Sequence, residues 1–213
     1  MSWIPPVIAA WEKLSSTSKT LTWMYSRPYR KVIENEIHLA RITEEDVVLN
    51  VGCGAVPFTA LYIATITGAR VYAMDIDKKA VKLAEKCVSK TDLSHKVDVL
   101  HGDGATGFQE DFSVAVIALQ AAPKNNILEA MISSGQDVRL VFRLPSPAYR
   151  DHYDNLITDH YIQAATLQPM TTFDRSVLLE SSEGTIQPPH VRPGHSPVMD
   201  RPVSSRPLIA AEI

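Results

Sequence analysis

The chain has 213 residues, a formal net charge of -3 and 45% hydrophobic content, with a mean hydropathy of -0.05. That length suffices for one packed α/β domain and a short extension. The mild acidity gives no basis for a nucleic-acid partner or an anionic membrane surface. No apolar run reaches the roughly 20 residues that a bilayer span requires.

The apolar start, residues 1–10, lacks the basic flank and cleavage site of a secretory signal. It reads as a packing segment or an oligomer contact, so a homo-oligomer is compatible with it. Residues 11–42 read mostly as helix, in two pieces, with Ser26 as a cap and Pro28 in the first turn of the second. Val32, Ile33, Ile37, Leu39, Ala40 and Ile42 supply the apolar positions, and Glu34, Glu36, His38 and Arg41 the polar ones.

From Val47 onward strand and helix alternate. Strands are expected near 47–51, 70–75, 97–101, 113–118 and 138–143, and helices near 57–67, 78–89, 124–133 and 147–157. Such alternation predicts a parallel sheet covered on both faces. Two further strand-like runs, 161–167 and 173–180, are joined too tightly for a parallel crossover and predict an antiparallel hairpin. Beyond Glu183 the pattern stops. Six of the fourteen prolines fall between Thr185 and Ile213, which predicts a disordered or extended tail. The expected layout is a helical cap over 1–42, an α/β domain over 43–183 and a proline-rich tail over 184–213.

The chemistry gathers at the ends of the predicted strands. Val47-Val-Leu-Asn-Val-Gly-Cys-Gly54 is an apolar strand entering a Gly-x-Gly turn, and 21 positions later a second strand ends in Asp75. That is about the spacing at which a Rossmann-type acid meets a ribose. The third glycine of Gly-x-Gly-x-x-Gly is missing, because Pro57 holds its place. Since that glycine serves tight packing under a pyrophosphate, its loss turns the reading from a dinucleotide toward S-adenosyl-L-methionine (SAM), which has no phosphate. Asp103, at the end of the third strand, can hold an adenine amino group, although an Asp-Gly turn alone accounts for the same residues. After the fourth strand comes Leu119-Gln-Ala-Ala-Pro-Lys124, not the Asn/Asp-Pro-Pro-Tyr/Phe of many amino-methylating enzymes.

The doubly wound sheet closed by a hairpin resembles the class I SAM-dependent methyltransferase fold, a three-layer α/β/α Rossmann-like seven-stranded sheet, here with an N-terminal helical cap. Within it, Leu49-Asn-Val-Gly-Cys-Gly-Ala-Val-Pro-Phe-Thr59, Tyr72-Ala-Met-Asp-Ile-Asp77, Ala118-Leu-Gln-Ala-Ala-Pro-Lys124, Arg139-Leu-Val-Phe-Arg143 and Arg175-Ser-Val-Leu-Leu-Glu180 are similar to nicotianamine synthases. The resemblance spans about residues 25–182. It implies transfer of the 3-amino-3-carboxypropyl group of SAM to a small-molecule acceptor, leaving methylthioadenosine. Cofactor contacts are then expected from Gly52, Gly54, Pro57, Thr59, Asp75, Ile76, Asp103, Gly104 and Leu119.

An attacking amine must lose a proton. The family's base lies in an Asn-Glu pair on the helix before the first strand, which Asn35-Glu36 matches, so Glu36 is the expected catalytic residue. An ordinary helix glutamate is the competing reading. Tyr25, Arg27, Tyr29 and Arg143 are expected to face the SAM carboxylate or the substrate, because an arginine fork suits a carboxylate. Surface ion pairs would explain the same arginines. A small-molecule methyltransferase and a non-catalytic SAM-binding partner subunit remain as alternatives. No metal is expected, since His101, His152 and His160 have no ligand spacing. Two cysteines, Cys53 and Cys87, make no disulfide framework, and a reduced cytoplasmic setting follows.

Overall fold

A computed structural model describes residues 19–133, 137–158, 160 and 162–181. The apolar start and the proline-rich segment 184–213 lie outside these residues. Among them, no helix is long and apolar enough to cross a membrane.

The first helix, α1 (Lys19–Ala40), runs without a break, so Pro28 sits inside it and not at the start of a second piece. From Tyr29 on, its buried positions are Val32, Ile33, Glu36, Ile37 and Ala40, the spacing of one helical face. The helix stops at Arg41, whose φ of 51° is left-handed. There the Ile42 amide returns to the Ile37 carbonyl, as in a left-handed C-terminal cap. Arg139 closes this end by donating to the carbonyls of Ala40 and Arg41 while pairing with Asp46.

Seven strands follow: β1 (Val47–Val51), β2 (Arg70–Asp75), β3 (Val97–His101), β4 (Val114–Ile117), β5 (Val138–Pro145), β6 (Ala164–Leu167) and β7 (Phe173–Ser181). They form one sheet in the order β3-β2-β1-β4-β5-β7-β6. The first five pair in parallel, and β7 runs antiparallel to both β5 and β6. The predicted hairpin is therefore present, and the sheet is the Rossmann-like one of the class I SAM-dependent methyltransferases. Central strands are buried on both faces, which is why Val114–Ile117 reads as an unbroken apolar run.

Helices α2 (Phe58–Thr67), α3 (Lys78–Val88) and α4 (Lys124–Ile132) complete the layers. One core holds Val32, Ile33, Ile63, Ala84, Val116 and Val141, gathering α1, α2 and α3 on one face of the sheet. The other holds Leu49, Ile117, Ile127, Leu128, Phe142 and Leu156, where α4 lies.

The predicted helix over 147–157 is a correction. Only Pro147–Tyr149 makes a single 3-10 turn. Past this turn the segment is tied to α4. Asp154 accepts the backbone N–H of Lys124 at 2.5 Å, and Ile157 exchanges two hydrogen bonds with the Asn125 side chain.

Gly104 shows how tightly the sheet edge is packed. A Cβ added there would stand 2.6 Å from Cγ1 of Val51. Gly104→Ala should lower stability by about 1–3 kcal/mol, the usual cost of overpacking, as read from urea unfolding.

Candidate functional site

The carboxyl ends of β1 to β5 open into a cleft of about 730 Å³, within the usual range for a small-molecule site. The glycine turn forms its floor. Gly52 and Gly54 have φ of 80° and 69°, a backbone state that side chains disfavour. The amides of Gly52 and Cys53 both donate to the Met74 carbonyl at 2.9 Å, so the turn is tied to β2. A Cβ on Gly54 would meet no protein atom within 4 Å. Packing does not require a glycine there; the φ and the open space beside it do.

Asp75 stands beside this turn. Its Oδ2 accepts the Gly54 amide at 2.7 Å and its Oδ1 the Asp77 amide at 2.9 Å. Each oxygen keeps a lone pair for a ligand hydroxyl. Asp103 accepts the Ala105 amide through Oδ1 at 2.9 Å, which leaves Oδ2 for the cleft. Ile76 is 64% exposed, an apolar surface on the rim.

At the far end of the cleft stands Arg143, only 4% exposed, above the ring of Phe173. Its Nε and Nη2 donate to the two carboxylate oxygens of Glu36 at 2.8 and 2.7 Å, and Nη2 also reaches Thr59 Oγ1 at 3.1 Å. Nη1 has no partner among the described residues. Burial works against the guanidinium charge, but Glu36 outweighs it and raises the Arg143 pKa. Glu36 itself is fully buried and accepts a third hydrogen bond from the Ser176 hydroxyl at 2.8 Å.

The expected residues thus divide. Gly52, Gly54, Thr59, Asp75, Ile76, Asp103, Gly104, Tyr29 and Arg143 all line the cleft. Pro57 and Leu119 are buried outside its lining, and Glu36 lies behind Arg143. Tyr25 and Arg27 fall on the first turns of α1. Cys53, Phe58, Gln120, Ala121 and Met170 also line it, and sequence reading had missed them. No short-range signal marks Met170, because it arrives from the connection between β6 and β7. Among the described residues, no group of three or more His, Cys, Asp or Glu side chains could hold a metal.

The lining suits SAM. Its charged members are Asp75, Asp103 and Arg143, and Glu36 already balances the arginine. The remaining field is acidic, favourable for a sulfonium and unfavourable for a pyrophosphate.

The family model of protein-L-isoaspartate (D-aspartate) O-methyltransferase matches residues 23–137. The L-histidine 2-aminobutanoyltransferase of Yersinia pestis is 35% identical over 86 residues, 40% of this chain and 32% of that one. The ribosomal protein L11 methyltransferase of Carboxydothermus hydrogenoformans is 34% identical over 76 residues, 36% of this chain and 25% of that one. The chain therefore spans a third or less of the curated relatives it matches. Among solved structures, the nicotianamine synthase MtNAS in complex with MTA and tNA has a TM-score of 0.69 at 23% identity, covering 80% of this chain and 67% of that one. An RNA methyltransferase from Salinibacter ruber in complex with S-adenosyl-L-homocysteine has a TM-score of 0.60 at 17% identity, covering 74% of this chain and 95% of that one. At those identities the two structures show the shared fold. The sheet order is that of the class I SAM-dependent methyltransferase fold, and the family model covers more than half of the chain. The chain belongs to the protein-L-isoaspartate (D-aspartate) O-methyltransferase family.

Two predictions follow from the geometry of the turn. Asp75→Ala removes the acceptor of the Gly54 amide and should weaken SAM binding by about tenfold or more, the worth of one hydrogen bond to a charged group, read by calorimetry. The Cys53 thiol is pushed up to about 12 by burial and then by the Asp75 charge. Because the unfolded thiol ionises first, near 9.0, stability from this group is full below that pH and lost as pH rises toward 12. Cys53→Ala should flatten that alkaline decline in denaturant unfolding.

Proposed function

We propose that this chain transfers the 3-amino-3-carboxypropyl group of SAM to the amine of a small acceptor. The observation that carries the reading is Arg143. Its fork is anchored on one side by Glu36 and leaves Nη1 for the cleft. A fixed guanidinium there suits a carboxylate of the transferred group or of an amino-acid acceptor. Which sulfonium carbon reacts is decided by alignment, and a carboxylate held at the end of β5 would set that alignment. The local match to an L-histidine 2-aminobutanoyltransferase supports the same reading and makes L-histidine the first acceptor to try.

In this reading Gly52 and Gly54 approach the amino-acid portion, with Thr59 beside them. Asp75 takes the ribose hydroxyls, Asp103 and Gly104 face the adenine, and Ile76 gives its ring an apolar surface. When bound, SAM supplies the electrophilic carbon, and methylthioadenosine departs with the S–C electron pair. Tyr29 and Arg143 orient the reacting groups. Glu36 takes the amine proton once a ligand carboxylate shares the Arg143 fork and releases one of its oxygens. Two cysteines, both free, accord with a reducing cytoplasmic setting. The small acidic net charge argues against nucleic acid as the acceptor.

Methyl transfer to a small molecule is the second reading, favoured by the family model and by the L11 methyltransferase relative. Incubation with SAM and a panel of amino acids that includes L-histidine separates the two. Methylthioadenosine is the expected product; S-adenosylhomocysteine would transfer the case to methylation. SAM binding without turnover on any acceptor would leave a non-catalytic partner subunit. Glu36→Gln should slow turnover by about 100-fold or more, the typical worth of a general base, measured at saturating SAM so that any loss of affinity from the uncoupled Arg143 is kept apart from kcat. Unaltered turnover would remove Glu36 from the mechanism.

A further inference from the structure

Lys124 is a fully buried lysine, at 0% exposure. Neither its burial nor its charge is used by the reaction proposed above. Its ammonium turns back from the start of α4 and donates to the Leu119 carbonyl at 2.7 Å and the Ala121 carbonyl at 3.0 Å. Its own backbone N–H is held by Asp154. Both ends of the residue are therefore fixed, one by the β4–α4 loop and one by the segment that replaces the predicted helix.

The loop gripped in this way reaches the cofactor floor. Ala118, Gln120, Ala121 and Ala122 line the cleft. The methyl carbons of Ala118 and Ala121 come so close to Gly52 that a Cβ there would meet them at 3.1 and 3.4 Å. The loop thus rests directly on the glycine turn. Two backbone carbonyls bent toward a buried cation cannot also point into the cleft, so the wall they leave is built of three alanines and Gln120.

We propose that Lys124 is a positioning residue of the SAM cleft, holding the β4–α4 loop against Gly52 so that the wall opposite Asp75 has its binding shape. The residue acts through the loop and touches no ligand. The proposal concerns cofactor binding alone, so its failure would leave open which group of SAM is transferred.

The probe is S-adenosylhomocysteine, titrated by calorimetry, with amide hydrogen exchange followed over residues 117–123. Lys124→Met keeps the length of the side chain and removes its donors. It should weaken S-adenosylhomocysteine by about tenfold, the worth of a charge-assisted hydrogen bond, and speed exchange in the loop while leaving β1 and β5 protected. Lys124→Gln restores a donor and should recover part of both. A merely structural role would lower the melting temperature without moving affinity or singling out this loop. Binding within twofold of the parent, with the loop still protected, would overturn the proposal.

The unaltered protein provides a second measurement should Lys124→Met not fold. Burial lowers the Lys124 pKa to about 8, against the opposing pull of Asp154, the charged group that bears on it among the described residues. A neutral amine makes weaker bonds to the same carbonyls than an ammonium does. Exchange of the loop amides, corrected for its intrinsic pH dependence, should accelerate several-fold as pH rises through about 8. An unchanged corrected rate would overturn the proposal as surely as tight binding by the methionine variant.

Discussion

The buried pair of Glu36 and Arg143 is the interaction on which the rest of the site depends. It joins α1 to β5, and through Thr59 and Ser176 it draws in α2 and β7. The network continues outward, from Ser176 to Gln168 and from Gln168 to Asn35, back on α1. A helix that precedes the sheet in sequence is thereby locked to the strand pair that closes it. Taking two charges out of water is costly, and apolar side chains of similar size would often stabilise as well. What the pair contributes is place. It sets a guanidinium at the carboxyl end of β5, on the wall of the cleft.

The same arrangement explains the electrostatic character of the cleft. Asp75 and Asp103 arrive from the ends of β2 and β3, and Arg143 brings a positive charge that Glu36 has already matched. A ligand with a sulfonium meets a field of the right sign. A ligand with two phosphates would meet a single cation already paired with Glu36, and not the third glycine that lets a helix approach them. The fold is shared with many dinucleotide proteins, and these few charges separate this cleft from theirs.

Much of this was legible in the linear chain. The strand–glycine–strand–acid unit was read correctly because its parts are local, with Gly54 and Asp75 brought together by one crossover. The tight connection after Leu167 likewise left an antiparallel hairpin as the geometric option. The segment 147–157, expected as a helix, is instead tied to α4 through Asp154 and the Ile157 backbone, long-range contacts that local pattern does not contain. Glu36 lies between these cases. Its spacing with Val32, Ile33, Ile37 and Ala40 puts it on the buried stripe of α1, yet only a partner 107 positions away makes burial of its carboxylate tolerable.

The chain alone thus determined the sheet, the glycine turn and the class of cofactor, because each rests on periodicity or on short spacing. Tertiary structure decided that Glu36 sits behind Arg143, that Lys124 is buried against two carbonyls, and that Met170 reaches the cleft. All three depend on which charges and surfaces lose contact with water when distant segments meet. Desolvation is a property of the packed chain, and no stretch of sequence carries it by itself.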